Sequence, residues 1–195
     1  MKLLLLLEKL YEVNPQCNIE ITSNISLLDS KIYNQLLRFN NVKWWVSFEN
    51  TGVKWEYIRR GGSWNTFNHN LQRLITDFSN VNFNMVHFLL SANDWSQTLD
   101  FALKYVNESN IVIADLYQWE ELSPAQLDQK NLDLLNKKIL KVADQLQSVY
   151  LKESLSNQVN KYQTAKTTFR YKSFLDKFDQ QKNTNWKNTF PEINI

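Results

Sequence analysis

Residues 41–62, NVKWWVSFENTGVKWEYIRRGG, decide how the chain folds. The stretch opens with β-branched and aromatic residues, which is typical of a buried strand, and Ser47 and Glu49 give the end of that strand polar side chains. The three glycines of the protein follow at Gly52, Gly61 and Gly62. Glycine is favoured where the backbone turns left-handed or approaches a ligand. Two interpretations follow: a loop that folds over a ligand, or a tight structural turn.

Strand patterns alternate with helical patterns before and after this stretch. The expected strands lie near residues 18–24, 42–49, 82–91 and 111–118, and amphipathic helices separate them. Connections of that length join parallel strands through right-handed crossovers. The sequence therefore predicts an α/β fold with about four parallel strands.

A helical pattern replaces the alternation after Ser123-Pro124. Apolar residues recur there by threes and fours at Leu132, Leu135, Ile139, Val142, Leu146 and Val149. This predicts one long helix that docks either against the sheet or against another chain. We therefore expect two regions, an α/β domain over residues 1–122 and a mostly helical extension over residues 123–195.

Composition excludes several classes of protein. Lys and Arg total 22 against 20 acidic residues, so the net charge of +2 makes nucleic acid an unlikely partner. The longest apolar run, Leu3 to Leu7, is too short for a membrane span, and the chain is expected to be cytoplasmic. Cys17 is the only cysteine and His69 and His87 the only histidines. No internal disulfide can form, and no metal site is expected.

Polar side chains at the strand ends are the candidate binding residues. Ligands of parallel α/β sheets bind at the carboxyl ends of the strands, where loops and helix N-termini converge. The candidates there are Asn24, Ser47, Glu49, Asn93 and, in the glycine-containing loop, Arg59. Helix capping is the structural alternative for Asn24 and Asn93, and simple solvation is the alternative for Arg59. Together these residues suit a polar ligand with several functional groups.

The motif order resembles the radical S-adenosylmethionine enzymes, and in particular their twitch-domain branch. The segments that carry the resemblance are EITSN, VSFENTG and YIRRGGSWNTFNHNLQRL, with LDKFDQQKNTNWKNTFPEI near the C-terminus. The resemblance covers most of the chain and implies the later part of a partial (β/α)6 barrel. It also implies S-adenosylmethionine as the cofactor, used for 5′-deoxyadenosyl radical chemistry on an unknown substrate.

The resemblance assigns a role to each candidate residue. It implies that Ser47 lies near the ribose and methionyl end of the cofactor and that Glu49 replaces an aspartate of the family. Arg59 would hold the cofactor carboxylate or support the loop. Asn24 stands at the position of a Thr-Asn element, where Ser23 changes the usual order. Asn93 is the weakest of these matches.

Two elements of the family pattern are missing. The CxxxCxxC loop that binds a 4Fe-4S cluster cannot exist in a chain with one cysteine, and the Gly-Gly-Glu segment is absent. Without thiolate ligands the chain alone is expected to be inactive. A missing N-terminal half, in a truncated or split gene, is the expected partner. The alternative is a non-catalytic α/β module that binds another protein through its open sheet edge, and RNA binding is a weaker third hypothesis.

Overall fold

A four-stranded sheet forms the centre of the protein. The computed structural model describes residues 2–116, 120–163 and 170–193. All neighbouring strands are parallel, and their order in the sheet follows the chain. The strands are β1 (Ile19–Ser23), β2 (Val42–Phe48), β3 (Asn80–His87) and β4 (Ile111–Asp115). The predicted α/β class and parallel arrangement are thereby confirmed, whereas barrel curvature stays a prediction.

Helices connect the strands and form the C-terminal region. Their bounds are α1 (Lys2–Val13), α2 (Ser30–Leu36), α3 (Gly52–Ile58), α4 (Trp64–Asp77), α5 (Leu89–Ala92), α6 (Trp95–Ala102), α7 (Gln129–Gln145), α8 (Val149–Gln163), α9 (Arg170–Lys182) and α10 (Trp186–Thr189). Short 3₁₀ turns cover Glu108–Asn110, Glu120–Leu122, Pro124–Gln126 and Pro191–Ile193. No helix in the described ranges is long and apolar enough to cross a membrane.

One face of the sheet is covered by helices. Along β2 the side chains of Val42, Trp44, Val46 and Phe48 are buried, and the residues between them are only partly buried. The Phe48 ring packs on aromatic rings of α4, β3 and α6. Burial of a side chain of this size contributes about 1.5–3 kcal/mol to folding. We call this surface the covered face.

The opposite surface of the sheet is partly accessible to solvent and carries both polar and apolar side chains. Because strand residues alternate between faces, Lys43, Trp45 and Ser47 share this surface, and none of the three is buried. The register places Trp45 beside Thr22 of β1 and Ser47 beside Asn84 of β3. We call this surface the open face.

The third strand is shorter than predicted. The interpretation of residues 82–91 as strand is wrong at its end, because β3 stops at His87 and Leu89–Ala92 forms α5. The hydroxyl of Ser91 accepts a hydrogen bond from the backbone N–H of Phe88, which favours the turn of a helix there. The fourth strand ends at Asp115, and residues 117 and 118 of the expected strand lie outside the described ranges.

The predicted single long helix is two helices, α7 and α8, packed against each other. The chain breaks at Leu146, where the carboxylate of Glu108 accepts hydrogen bonds from the backbone N–H groups of Gln147 and Ser148. An acidic side chain stabilises a helix N-terminus. Helix α8 contacts β4 and α7 contacts α6, so the pair docks within this chain.

The last helices close over α3. Asp179 of α9 accepts hydrogen bonds from the Tyr57 hydroxyl, 2.9 Å away, and from the backbone N–H of Trp186. The Trp186 ring is fully buried, and its indole N–H donates to Asp176. The C-terminal helices therefore support the segment that follows β2.

Candidate functional site

Glu49 and Arg59 form an ion pair at the carboxyl end of β2. Glu49 directly follows the strand, and Arg59 directly follows α3. Arg59 Nε donates to Glu49 Oε2 over 2.8 Å, and Arg59 Nη2 donates to Glu49 Oε1. Such a fork uses both carboxylate oxygens and fixes the guanidinium plane. The two residues predicted to act together are thus in contact.

Glu49 is buried, whereas Arg59 is partly exposed. The Glu49 side chain is 4% exposed and the Arg59 side chain is 28% exposed. Burial raises the pKa of Glu49, and the charge and hydrogen bonds of Arg59 oppose that rise. Arg59 Nη1 has no hydrogen-bond partner within the described part of the chain. Its N–H groups remain able to bind an anionic group.

Each clustered glycine has a structural role. Gly52 and Gly61 have positive φ angles of 58° and 78°, a region that residues with a Cβ rarely adopt. A Cβ on Gly62 would lie 2.6 Å from the ring of Trp55. The expected loop is largely the helix α3, which begins at Gly52. The glycines turn the chain at both ends of this helix and let it pack closely.

Ser47 lies on the open face, next to the end of the strand. Asn84 of β3 lies beside Ser47 in the register. Trp45, two residues earlier in β2, lies on the same face. Lys43 lies over the Trp45 ring, 4.4 Å from its centre, and 3.6 Å from the carboxylate of Glu20. A hydroxyl, an amide, an indole and an ammonium group therefore line one sheet surface. Sequence reasoning considered only strand ends and missed Trp45 and Asn84, although the two-residue periodicity of strands points to them.

Asn24 and Asn93 have local structural roles. Asn24 follows β1, and its side-chain oxygen accepts hydrogen bonds from the backbone N–H and hydroxyl of Ser26, which makes an Asx turn. Asn93 follows α5 and accepts a hydrogen bond from Lys138 Nζ over 3.3 Å. The structure shows no contact of either residue with Glu49 or Arg59.

A second polar cluster ties the loops after β2 and β3 to the C-terminal segment. The buried Asn50 amide donates to the Leu90 carbonyl and to Asp94, each over 3.0 Å. Lys54 Nζ donates to Asp94 over 2.8 Å and to Glu192 over 2.6 Å. Burial alone would lower the pKa of Lys54, but these two carboxylates outweigh it and raise the pKa. We call these four polar side chains the Lys54 cluster.

The Lys54 cluster was not predicted as a unit. Lys54 and Glu192 are separated by 138 positions, and no local pattern links them. In the sequence, Glu192 belongs only to the C-terminal segment that resembles the twitch-domain branch, with no predicted link to Lys54. The donors and acceptors of the cluster bond to one another, so its role is to hold three loops together rather than to bind a ligand.

His87 ends β3 on the covered face and is fully buried. Its ring stacks between Trp95 and Tyr162, with centroid distances of 5.2 and 5.4 Å. Tyr162 donates its hydroxyl proton to Gln158, so His87 Nδ1 donates to the Tyr162 oxygen. His87 Nε2 has no hydrogen-bond partner in the described ranges, and a cavity of about 20 Å³, the size of one water molecule, lies beside the ring. Burial lowers the pKa of His87 to about 3.

The described residues include one thiol, at the amino end of the sheet. Cys17 is a free, half-buried thiol that precedes β1, at the amino end of the sheet and away from Ser47 and Glu49. No group of three or more His, Cys, Asp or Glu residues in the described ranges is placed to hold a metal ion.

The open face and the exposed side of Arg59 each offer groups suited to a polar ligand. Ser47 and Asn84 offer hydrogen bonds, Trp45 offers a ring for stacking, and Arg59 Nη1 offers N–H donors for an anion. Comparison of the chain with protein-family models, curated proteins and solved structures finds no match.

Proposed function

We propose that this chain is the later part of a β/α half-barrel that binds S-adenosylmethionine, similar to a radical S-adenosylmethionine enzyme. The observation that carries the proposal is the open face of a parallel, sequentially ordered sheet, with Glu49 and Arg59 paired at the carboxyl end of β2. The chain would contribute to the cofactor pocket, and a second segment or polypeptide would complete it.

The arrangement of the sheet supports this proposal. Strands in sequential order with right-handed crossovers carry their connecting helices on one face. The aromatic packing of β2 against α4 and α6 lies on the covered face, and Lys43, Trp45 and Ser47 lie on the other. A sheet of this kind can curve so that its polar face lines a pocket, as in a partial barrel.

The chemistry of the side chains fits S-adenosylmethionine. Ser47 and Asn84 are suited to ribose hydroxyls, and Arg59 Nη1 is suited to the cofactor carboxylate. Glu49 is a positioning residue, because it holds the guanidinium plane of Arg59. Asn24 and Asn93, which are committed to a turn and to Lys138, are weaker candidates.

An iron-sulfur cluster does not fit this chain. In this family the bound cofactor supplies a carbon radical once a cluster held by cysteine thiolates delivers an electron. The only thiol here is Cys17, at the opposite end of the sheet. We therefore assign this chain to cofactor binding and place electron delivery on a separate segment.

Saturation-transfer NMR with S-adenosylmethionine and the full chain tests the proposal, because the method detects weak binding. We expect transfer to the adenosine and methionyl protons. Ser47→Ala should weaken binding about fivefold and Arg59→Lys about tenfold, since each loses a hydrogen bond to the cofactor. ATP should compete poorly, because it has no methionyl carboxylate.

Arg60→Lys is the matched control, since Arg60 is the exposed neighbour of Arg59. A folded chain that gives no transfer from S-adenosylmethionine would refute the proposal, as would affinity that is unchanged in both Ser47→Ala and Arg59→Lys. Either result would favour the non-catalytic interaction module.

A further inference from the structure

An apolar groove lies beside the first strand, far along the sheet from the Lys54 cluster. Its volume is about 710 Å³, and α1, β1 and α2 line it. Leu3, Leu6 and Leu10 contribute from α1, and Ile21 contributes from β1. Leu3 is 51% exposed and Leu6 is 60% exposed, although both point apolar surface into the groove. Contiguous apolar surface of this kind marks an interaction site.

The edge of β1 adds unpaired backbone groups to this groove. The N–H of Ile19 donates to the carbonyl of Asn41, toward β2. Because backbone groups of successive strand residues point to opposite edges, the N–H and C=O groups of Glu20 and Thr22 point away from β2. Both residues also line the groove. An apolar small molecule could not satisfy these peptide groups, whereas an extended peptide could.

Charge narrows the choice of occupant further. Glu20 carries the one charge on β1, and its side chain is 63% exposed at 3.6 Å from Lys43. A neighbouring strand with Lys or Arg beside Glu20 would be attracted, and one with Asp or Glu would be repelled. On the groove side, Ile21 and the α1 leucines require apolar side chains from every second residue of that strand.

We propose that this groove binds an extended segment of a partner polypeptide, which adds a strand to β1. The segment has apolar residues at alternate positions, facing the groove, and a basic residue beside Glu20. The proposal deepens the proposed function, since such a strand would belong to the segment that completes the half-barrel. It does not depend on which cofactor the open face binds.

The test uses the full chain and the labelled peptide acetyl-KVKVTVKV-amide, with affinity measured by fluorescence anisotropy. The peptide acetyl-KSKSTSKS-amide should bind at least about tenfold more weakly, because it lacks the apolar side. The charge-reversed acetyl-EVEVTVEV-amide should bind about two- to fivefold more weakly. In amide exchange measured by NMR, bound peptide should slow exchange at Glu20 and Thr22.

Two pairs of variants locate the binding site. Leu6→Lys, in the groove, should weaken peptide binding about tenfold, whereas Leu5→Lys is the control, because Leu5 is 55% exposed and does not line the groove. Thr22→Pro removes an outward N–H and should weaken binding about fivefold, whereas Thr22→Val keeps that N–H. Leu6→Lys should leave the affinity for S-adenosylmethionine unchanged, since Leu6 lies in the groove and not on the open face. Failure of this inference and failure of the proposed function can therefore be told apart.

Three results would overturn the inference. The first is equal affinity for the valine peptide and the serine peptide. The second is a peptide affinity that neither Leu6→Lys nor Thr22→Pro changes. The third is unchanged amide exchange at Glu20 and Thr22 when peptide is added. A concentration-dependent dimer that Leu6→Lys disrupts, without peptide binding, would assign the groove to a second copy of the chain instead.

Discussion

The two faces of the sheet differ in what they bury and what they offer. The covered face presents Trp44, Phe48 and Phe83, all packed beneath helices, whereas the open face presents Lys43, Trp45, Ser47 and Asn84. Adjacent residues of the same strand therefore have opposite roles. Stability comes mainly from one face, which leaves the other free to carry binding groups without cost to the core.

Two neighbouring tryptophans give the largest test of this difference. Trp44 is 3% exposed and packs on Phe78, and Trp45 lies on the open face under Lys43. Trp44→Ala should lower the free energy of unfolding by about 3–5 kcal/mol, because it leaves a cavity in the core. Trp45→Ala should lower it by only about 1 kcal/mol, mostly through the lost contact with Lys43. Urea denaturation followed by circular dichroism measures both, and equal losses would contradict the distinction.

His87 gives the covered face a pH dependence. Its pKa is about 3 in the folded protein, mainly through burial; the nearby Gln158 side chain opposes this lowering, and the positive charge of Lys161 adds to it. The unfolded chain binds this proton near pH 6.5. Stability should therefore fall as pH drops below 6.5, by up to about 1.4 kcal/mol per pH unit, until the folded pKa is reached.

Matched histidine variants isolate that contribution. His87→Phe should flatten the decline in unfolding free energy between pH 6.5 and pH 4, measured by urea denaturation at each pH. His69→Gln should leave the profile unchanged, because His69 is exposed on α4. If His69→Gln flattened the profile and His87→Phe did not, the pH dependence would come from His69, and its assignment to His87 would be wrong.

Arg59 pairs with the buried Glu49, and its removal should destabilise the protein somewhat less than the loss of Trp44. Arg59→Met leaves Glu49 buried without its partner, which should destabilise the protein by about 3 kcal/mol at pH 8. The pKa of Glu49 is already raised and should rise further. Protonation then stabilises the folded variant, so the loss should shrink as pH falls from 8 to 5.

The double variant Glu49→Gln with Arg59→Met checks the cause. It removes the buried charge and should recover part of the stability at pH 8. Arg60→Met is the control, with an expected change within about 0.5 kcal/mol. A double variant that is less stable than Arg59→Met would contradict this explanation.

The smallest expected effects belong to the remaining polar residues of the open face. Ser47→Ala and Asn84→Ala should each change the free energy of unfolding by less than about 0.5 kcal/mol. Thermal denaturation with the wild-type chain as reference measures this. A loss above 2 kcal/mol for either would mean that the open face contributes to the core.

Local patterns predicted the sheet well. Short runs of β-branched and aromatic residues that end in polar side chains placed β1 and β2 within a residue or two, and the parallel arrangement followed from the length of the connections. The predicted end of β3 was wrong because Leu89 and Leu90 are as apolar as strand residues. The hydrogen bond from Phe88 N–H to the Ser91 hydroxyl, which favours α5, is local but leaves no mark in the apolar pattern.

Pairings between residues far apart in the chain could not be predicted from local sequence patterns. Glu49 was a candidate because it ends a predicted strand and Arg59 because it lies in the glycine-containing segment, but their mutual ion pair depends on how Gly52 and Gly61 turn α3. The break between α7 and α8 depends on Glu108, which lies 39 positions away from Gln147. Such contacts are set by the folded chain as a whole, so local periodicity carries no trace of them.

Cysteine accessibility at neighbouring positions of β2 tests the two-face account most directly. In a Cys17→Ser background, the measured quantity is the rate of thiol labelling of Ser47→Cys and of Val46→Cys under native conditions. Val46 is fully buried and Ser47 is partly accessible. The account predicts that Ser47→Cys reacts readily and that Val46→Cys reacts only as fast as the protein unfolds. Equal protection of both thiols, or faster labelling at Val46→Cys, would contradict it.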